Sequence, residues 1–346
     1  MTHDARCRAE SALRQVAPAK GHMTIGLELP LDNDWSPAGQ ASRWAAGRHA
    51  GEPDMTAHLE RATLADHAGF AAIWLRDVPV YDPGFGDAGQ VFDPFPYLGY
   101  LAAATRNVLL GTAAIALPLR HPLHVAKMAA TIDRLSGGRL LLGIASGDRP
   151  VEYPLFGIEY SRRGEILRDN LRILRSAWSN DNVPAGTPRM LPVPLGGSIP
   201  TIIAGRGGQT LEWLAGNLDG YFTYHRPPAA MEPIAAEWHR TVANETAGGA
   251  EFKPLLTTML VDLAADPDQH PELIRFGARL GRHALLEYLH GLRSVGVNHV
   301  AINLRPSRRP VEEVIQEIGQ CILPDFPTLG VRFTRGHRPS DLVLRL

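Results

Sequence analysis

Cysteine is nearly absent from this sequence. Its two cysteines, Cys7 and Cys321, stand near opposite ends of the 346 residues, and no cysteine or histidine group has the spacing of a zinc site. The sequence also lacks a His-Glu-x-x-His pair, a Walker loop and a Gly-x-Ser-x-Gly elbow. We therefore expect no metal site, neither metal-dependent nor serine-dependent hydrolysis, and a reducing, cytoplasmic location.

Long apolar runs and an excess of one charge are missing as well. No apolar run approaches the ~20 residues of a membrane-spanning helix, and no apolar segment follows the arginines of residues 1–22, so these residues do not form a secretory signal. The 35 lysines and arginines balance 36 aspartates and glutamates, whereas nucleic-acid-binding proteins usually carry a basic excess. We expect a flexible extension over residues 1–22 and no binding to membranes or nucleic acids.

From Met23 onward, short apolar runs alternate with stretches that have the period of amphipathic helices. The runs are almost continuously apolar, which is typical of parallel strands buried on both faces. Eight such strands alternating with eight helices favour a closed (β/α)8 TIM barrel over an open, doubly wound sheet. The predicted strands are 24–29, 71–75, 108–117, 140–145, 201–204, 220–223, 255–263 and 300–304.

Three connections are longer than a minimal barrel needs. Residues 31–53, 77–93 and 264–282 follow strands one, two and seven, so they lie on the C-terminal face, where barrel enzymes build their sites. Long connections there are more often pocket walls than spacers. We predict one barrel domain over residues 23–327, with these insertions and a peripheral tail over residues 328–346.

A glycine-rich turn follows the fifth predicted strand and opens a helix. Glycines let the backbone approach an oxyanion closely, and the start of a helix presents free N–H groups. This pattern predicts a phosphate cradle, although a tight connection without a ligand is an open alternative at this point. The predicted phosphate-binding residues are Gly205, Arg206, Gly207, Gly208, Gln209 and Thr210.

Several short motifs agree in order and spacing with one known family. They are Gly69-Phe70-x-x-x-Trp74, the stretch 110–122, Asp133–Arg139 and Gly143–Gly147. With these motifs the chain resembles the bacterial luciferase-like flavin monooxygenases, and within them a subgroup of unassigned luciferase-type oxidoreductases. The resemblance extends over most of residues 23–327.

The resemblance implies a flavin at the C-terminal mouth of the barrel, against the end of the third strand. Members of the family often have a non-proline cis peptide bond there, and the matching pair is Ala113-Ala114. Ser146 stands where the luciferases have an arginine, so we expect Arg206 to supply the charge for the phosphate instead. The cofactor-binding residues implied in addition to the glycine-rich turn are Ala113, Ala114, Ala145, Ser146, Gly147 and Arg279.

The acid–base chemistry of the luciferases does not transfer to this chain. Their catalytic histidine position, shortly after the family's tryptophan, is occupied by Val78, although Asp77 matches an acidic position. Tyr224 and Arg226 directly follow the sixth predicted strand and should face the pocket. The candidate catalytic residues are therefore Asp77, Tyr224 and Arg226, and light emission is not expected.

The resemblance implies a two-component monooxygenase that uses reduced FMN and O2 on a small organic substrate. No Gly-x-Gly-x-x-Gly motif follows a strand, so we expect a separate flavin reductase to deliver the reduced cofactor. Two alternatives stay open: a deazaflavin-dependent dehydrogenase on the same fold, and a non-catalytic flavin-binding relative. A homodimer that pairs through residues 94–105 and 125–135 is expected from the family.

Overall fold

The computed structural model describes residues 12–85, 92–179, 187–246 and 252–328. Its parallel strands form a closed barrel, because β11 pairs with β1 on one side and with β8 on the other. The predicted TIM barrel is thus confirmed. The barrel strands are β1 (Thr24–Glu28), β2 (Ala72–Leu75), β3 (Leu109–Thr112) extended by β4 (Ile115–Ala116), β5 (Leu140–Ala145), β6 (Thr201–Ala204), β7 (Gly220–Thr223), β8 (Leu255–Leu263) and β11 (His299–Asn303).

One helix after each barrel strand covers the outside of the barrel. These helices are α2 (His58–Ala68), α3 (Pro94–Ala104), α4 (Pro122–Ser136), α6 (Arg163–Trp178), α7 (Leu211–Asn217), α8 (Pro228–Glu245), α9 (Arg282–Ser294) and α10 (Val311–Cys321), with α1 (Pro37–Ala45) and α5 (Glu152–Leu155) in connections. Helix α4 shows how the pattern works: it buries Val125, Ala129 and Ile132, and Gly137 ends it at a φ of 73°. Leu135 is 67% exposed, because the buried stripe continues through Ser136.

The lower half of the barrel is filled with side chains. Trp74 donates its indole N–H to His299 Nε2 at 2.9 Å, and His299 Nδ1 lies 2.8 Å from the Thr24 hydroxyl. Burial lowers the pKa of His299 to about 3, so the ring is neutral. Val16 packs against the same interior cluster, which leaves the barrel open at the C-terminal ends of the strands only.

The predicted extension over residues 1–22 falls partly outside the described residues. Residues 1–11 are not described, whereas Ala12, Val16 and Ala17 are buried against the lower interior cluster, and Thr24 donates its hydroxyl to the Val16 carbonyl. The domain boundaries at residues 22 and 327 stay predictions. Residues 329–346 of the predicted tail also lie outside the described ranges.

The third insertion, which follows the seventh barrel strand and was expected to be a loop, contains two additional strands. Strands β9 (Glu272–Ile274) and β10 (Gly277–Leu280) form an antiparallel hairpin, and β10 pairs in parallel with the upper half of β8. A Cβ atom at Gly277 would lie 1.8 Å from the Leu260 carbonyl oxygen, so glycine is what allows this close pairing. The hairpin rises beside the open end of the barrel and adds to its rim.

The third predicted strand, residues 108–117, is not continuous. Strands β3 and β4 are separated at Ala113-Ala114, where the peptide bond is cis, as the family resemblance implies. Strand β4 pairs with β5 rather than continuing the ladder of β3 with β2. In the second insertion Pro83–Phe85 forms a short 3-10 turn, and residues 86–91 lie outside the described part of the chain.

None of the helices in the described ranges combines the length and the apolar character that crossing a membrane requires.

Candidate functional site

A cavity of about 740 Å³ opens at the C-terminal ends of the barrel strands. This volume lies in the range of about 300–1,000 Å³ that is typical of small-molecule sites. Each barrel strand, or the residues directly after it, contributes to the wall of the cavity. In the strand order, β6 lies opposite β1 and β8 lies opposite β3, so the cavity has two opposed ends and a middle that differ in chemistry.

The glycine end of the cavity consists of the turn Gly205–Gly208 with Arg163. Gly205, Gly207 and Gly208 have φ values of +68°, +60° and +75°, in the left-handed region that side chains other than glycine rarely adopt. A Cβ atom at Gly205 would meet no atom within 4 Å, so backbone faces open space there. Arg163, which begins α6, stacks 3.8 Å above the Tyr160 ring, and the side chain of Arg206 is 56% exposed. Exposed peptide groups and two guanidinium groups make this end suited to an anion.

Gln209 and Thr210 shape this turn from outside the cavity wall. The Gln209 side-chain amide donates to the carbonyls of Gly164 and Gly207 at 2.8 and 2.9 Å, which fixes the turn against α6. Thr210 caps α7 by accepting the Trp213 N–H at 3.2 Å. Neither residue lines the cavity. Their positions therefore favour a role in holding the turn and not direct contact with a ligand.

The middle of the cavity is built from small residues. Ala113, Ala114, Ala145, Ser146 and Gly147, which the resemblance implies as cofactor contacts, all line it. Leu260, on the opposite strand β8, and Phe276, from the β9–β10 hairpin, complete its walls. The result is a mainly apolar space between two facing walls, wide enough for a flat ring because the side chains on one wall are small.

The loop after β5 is held by a buried tyrosine. Tyr153 donates its hydroxyl to the Ser146 carbonyl. Gly147 has a φ of +78°, and a Cβ atom there would lie 2.7 Å from the Tyr153 hydroxyl oxygen. The sequence Ser146-Gly147 therefore follows from packing against Tyr153 as well as from facing the cavity.

Tyr224 stands at the rim of the cavity. Its hydroxyl donates to Asp148 Oδ2 at 3.1 Å, and its ring stacks on Phe276 with a centroid distance of 5.7 Å. Partial burial and the nearby Asp148 carboxylate raise the pKa of Tyr224 to about 12. Its phenol is therefore a hydrogen-bond donor at neutral pH and not a base.

Asp77 lies in the wall with both carboxylate oxygens engaged. Its side chain is 1% exposed and accepts two hydrogen bonds from Arg120, at 2.7 and 2.8 Å, and one from the Ala116 N–H at 3.2 Å. Arg120 also donates to Asp93 Oδ2 at 2.7 Å. These contacts connect the ends of β2 and β4 with the start of α3, so the geometry favours a positioning role for Asp77.

Two predicted arginines lie away from the cavity wall. Arg226 is exposed and points outside the lining. Arg279 lies on β10 beside Asp262 of β8, with its Nη1 atom 3.8 Å from Asp262 Oδ2, and it does not line the cavity. The prediction for Arg279 took the connection after strand seven to be a loop, whereas the structure has the β9–β10 hairpin there, so Arg279 lies in a strand beside β8.

Several polar residues of the wall, among them Glu28, Thr258 and Glu152, were not predicted from the sequence. Glu28, Arg76 and Thr258 form the end of the cavity opposite the glycine turn, which we call the ion-pair end. Glu152 is 1% exposed, accepts a hydrogen bond from the Val80 N–H, and has its pKa raised by burial despite the nearby Arg149. Glu28, Thr258 and Glu152 belong to none of the motifs that the sequence analysis uses.

Across residues 12–85, 92–179, 187–246 and 252–328, no three histidine, cysteine, aspartate or glutamate side chains come together as metal ligands.

Comparison with known proteins gives a consistent family. The family model described as luciferase-like monooxygenase matches residues 40–298. The F420-dependent glucose-6-phosphate dehydrogenase of Beutenbergia cavernae is 32% identical over 206 residues, which cover 54% of this chain and 60% of that protein. Pyrimidine monooxygenase RutA of Escherichia coli is 30% identical over 241 residues, 62% of this chain and 56% of RutA. The structure of monooxygenase RslO1 from Streptomyces bottropensis, 18% identical, gives a TM-score of 0.66 and covers 88% of this chain and 100% of RslO1, which supports the fold.

Proposed function

This chain belongs to the luciferase-like monooxygenase family and is an oxidoreductase, and from this premise we propose that it is a two-component monooxygenase. It receives reduced FMN from a separate flavin reductase and oxygenates a small organic substrate with O2. The Gly-x-Gly-x-x-Gly spacing occurs only at residues 84–89, within the second insertion, and not directly after a strand as in a Rossmann dinucleotide site. This position supports a separate source of reduced cofactor.

The observation that carries this proposal is the fit between the cavity and FMN. The middle admits a flat tricyclic ring because Ala113, Ala114 and Ala145 project only methyl groups into it. The glycine end offers backbone and guanidinium groups for a phosphate. An apolar middle next to an anion-binding end matches the two halves of FMN in the same order.

When bound, reduced FMN supplies the electrons that activate O2. The chain itself binds the cofactor, orients it and encloses it. Gly205–Gly208 and Arg163 hold the phosphate, with Arg206 at the rim, while Gln209 and Thr210 keep the turn in shape. Phe276 of the β9–β10 hairpin, with Trp35 and Phe85 from the described parts of the first two insertions, keeps water from the middle of the cavity. Tyr224 donates a hydrogen bond at the rim, and Asp77 holds Arg120 and the strand ends in place.

A deazaflavin-dependent dehydrogenase is the second candidate, supported by the F420-dependent relative from Beutenbergia cavernae. Both cofactors place a tricyclic ring next to an anionic tail, so the glycine end suits either. A fluorescence titration with FMN and F420, followed by anaerobic and aerobic reaction of the reduced complexes, separates them. We expect tighter binding of FMN and O2-dependent oxidation of its reduced form. Tight F420 binding with weak FMN binding would overturn the choice.

A non-catalytic flavin-binding role is the third candidate, and it is supported by Val78 at the histidine position. An oxygenated product from any substrate in the presence of FMN, reductase and O2 excludes it. We also propose a homodimer through α3 and α4, since Tyr100 on α3 and Leu123 and Leu135 on α4 are exposed apolar side chains. Sedimentation analysis tests this, with a monomer as the contradicting result.

A further inference from the structure

The tip of the β9–β10 hairpin carries an aromatic residue where the backbone favours glycine. Ile274 pairs with Gly277 across the hairpin, so Arg275 and Phe276 form a two-residue turn. Phe276 has a φ of +58°, and it is the one residue other than glycine with a positive φ in the described part of the chain. Hairpin turns usually place Gly or Asn at such a position, because a Cβ atom is disfavoured there. The turn alone therefore does not account for a phenylalanine.

The Phe276 ring belongs to a row of side chains at the mouth of the cavity. It lines the cavity together with Arg275 and Tyr224. The rings of Phe276 and Tyr224 lie 5.7 Å apart between centroids with an interplanar angle of 24°, and the Arg275 guanidinium lies 5.0 Å from the centroid of the Phe276 ring. Tyr224 is also held at its hydroxyl, which donates to Asp148 Oδ2 at 3.1 Å. The strained turn thus fixes two aromatic rings at the rim.

These two rings keep surface for a ligand. Tyr224 is 54% exposed and Phe276 is 39% exposed. One face of the Tyr224 ring lies against Phe276, so the exposed surface of Tyr224 includes its other face. Aromatic rings held in one orientation offer a flat apolar surface on which another ring can stack. A backbone outlier at the edge of a cavity supports a role in function, because the surrounding structure maintains it despite its cost.

We propose that Tyr224 and Phe276 form an aromatic rim that binds a flat aromatic ring of the substrate, and that Phe276 determines this specificity by positioning the Tyr224 ring. The inference rests on the proposed function, because it takes the flavin ring to lie against Ala113 and Ala114 and leaves the rim to the substrate. It adds the chemical class of the substrate.

The geometry favours an aromatic ring over a saturated one. Offset-stacked aromatic rings attract each other beyond the apolar area that they bury. A saturated ring is puckered, so fewer of its atoms reach the flat face of Tyr224. Because the hairpin pairs with β8, which lies opposite β3 in the barrel, a ring bound at the rim lies across the cavity from Ala113 and Ala114, on the side where the proposed flavin ring is not covered by its own wall.

Ligand-detected NMR on the FMN-loaded protein tests this with benzyl alcohol and cyclohexylmethanol, which carry the same hydroxymethyl group on a flat and on a puckered ring. We expect benzyl alcohol to bind about fivefold more tightly, which is the size of effect that aromatic stacking produces. Cyclohexylmethanol is the more apolar alcohol, so burial of apolar surface alone would give the opposite order. Equal binding, or tighter binding of cyclohexylmethanol, by the wild-type protein would overturn the inference.

Four variants separate the aromatic ring from the turn that carries it. Phe276→Asn removes the ring at a position whose φ suits asparagine, so the protein should stay folded, by circular dichroism, while the preference for benzyl alcohol disappears. Tyr224→Leu should also abolish the preference, whereas Phe276→Tyr keeps a ring and should retain it. Phe156→Asn is the control, since Phe156 is 43% exposed and does not line the cavity. An unchanged preference in Phe276→Asn contradicts the inference.

FMN affinity is measured for each protein in parallel, by quenching of flavin fluorescence. If the wild-type protein binds FMN but binds the two alcohols equally, the substrate inference fails and the proposed function stands. If neither FMN nor F420 binds, the proposed function fails and the inference fails with it. If Phe276→Asn loses as much affinity for FMN as for benzyl alcohol, the Phe276 ring serves the cofactor and not the substrate, which also contradicts the inference.

Discussion

The glycine end and the ion-pair end of the cavity are built in different ways. The glycine end comes from consecutive residues, 205–208, in a single turn after β6, and much of its binding surface is backbone. The ion-pair end is made of side chains from three strands, and Glu28 and Thr258 are 230 positions apart in the chain. A site made of backbone is local and therefore recognisable in sequence, whereas a site made of dispersed side chains exists only once the barrel has closed.

The largest effect is expected where the two ends meet. Ala113→Phe places a ring in the middle of the cavity, and we expect FMN affinity to fall more than about 100-fold, which corresponds to about 2.7 kcal/mol or more. Fluorescence titration measures it. Ala229→Phe, at an exposed position of α8, is the matched control and should bind FMN normally. Normal FMN binding by Ala113→Phe would mean that the ring lies elsewhere.

We expect Asp77, in the cavity wall between the two ends, to stabilise the fold and not to take part in catalysis. Asp77→Asn removes a buried charge that accepts two hydrogen bonds from Arg120, while Arg120 keeps its ion pair with Asp93. We expect the free energy of unfolding, from urea denaturation, to fall by about 2 kcal/mol, since a hydrogen bond to a charged group contributes about 1.5–3 kcal/mol. Asp93→Asn alters the other, 43% exposed partner of Arg120 and should cost less than about 1 kcal/mol. Loss of turnover in Asp77→Asn without loss of stability would instead support a catalytic role.

Asp32 and Arg305, which lie behind the cavity wall at Trp35, should make the stability of the protein depend on pH. Arg305, whose Nε lies 3.2 Å from Asp32 Oδ1, stacks at 4.8 Å on Trp35, which lines the cavity. Burial, partly offset by Arg305, raises the pKa of Asp32 from 3.8 to about 6. The folded protein thus holds this proton more tightly than the unfolded chain, and stability is lost as the pH rises from about 4 to about 6.

Asp32→Asn removes this ionisation, so the variant should not lose this stability as the pH rises. The free energy of unfolding of the variant, minus that of the wild-type protein, should therefore increase by about 3 kcal/mol from about pH 4 to about pH 7. Urea denaturation at a series of pH values measures the difference, in which the contributions of other groups cancel. A difference that stays constant over this range would show that Asp32 ionises as readily in the folded protein as in the unfolded chain.

The smallest expected effect distinguishes binding of the FMN phosphate from binding of the FMN ring. Arg163→Met should weaken FMN binding about tenfold, since a hydrogen bond to a charged group contributes about 1.5–3 kcal/mol. Riboflavin, which lacks the phosphate, should bind the variant and the wild-type protein equally. If both ligands lose affinity together, Arg163 contacts the ring or supports the fold and does not hold the phosphate.

The fold was predictable because its signals are local. Four predicted strands, 140–145, 201–204, 220–223 and 255–263, coincide with β5, β6, β7 and β8, since short apolar runs between glycines and helix starts leave little choice. The β9–β10 hairpin was not predicted, because it depends on the pairing of Gly277 with Leu260, which sequence periodicity does not reveal.

The site was predictable where the family motifs are contiguous. The residues implied by the resemblance at 113–114 and 145–147 line the cavity, and so do residues 205–208, which were predicted from the glycine-rich turn. Arg226 and Arg279 were chosen for their charge and their place after a strand, yet side-chain direction decides the outcome, and both lie outside the lining. Glu28 carried no signal because one acidic residue at the end of an apolar stretch resembles any solvated strand end, and Glu152 carried none because an acidic residue is common in the first turn of a helix.

The central claim is that one cavity orients FMN from the glycine end to the ion-pair end. A crystal structure of the FMN complex tests it directly. The account predicts the phosphate within hydrogen-bonding distance of the Gly207 and Gly208 N–H groups and the ring against Ala113 and Ala114. A phosphate bound to Arg76, with the ring reversed or outside the barrel mouth, would contradict it.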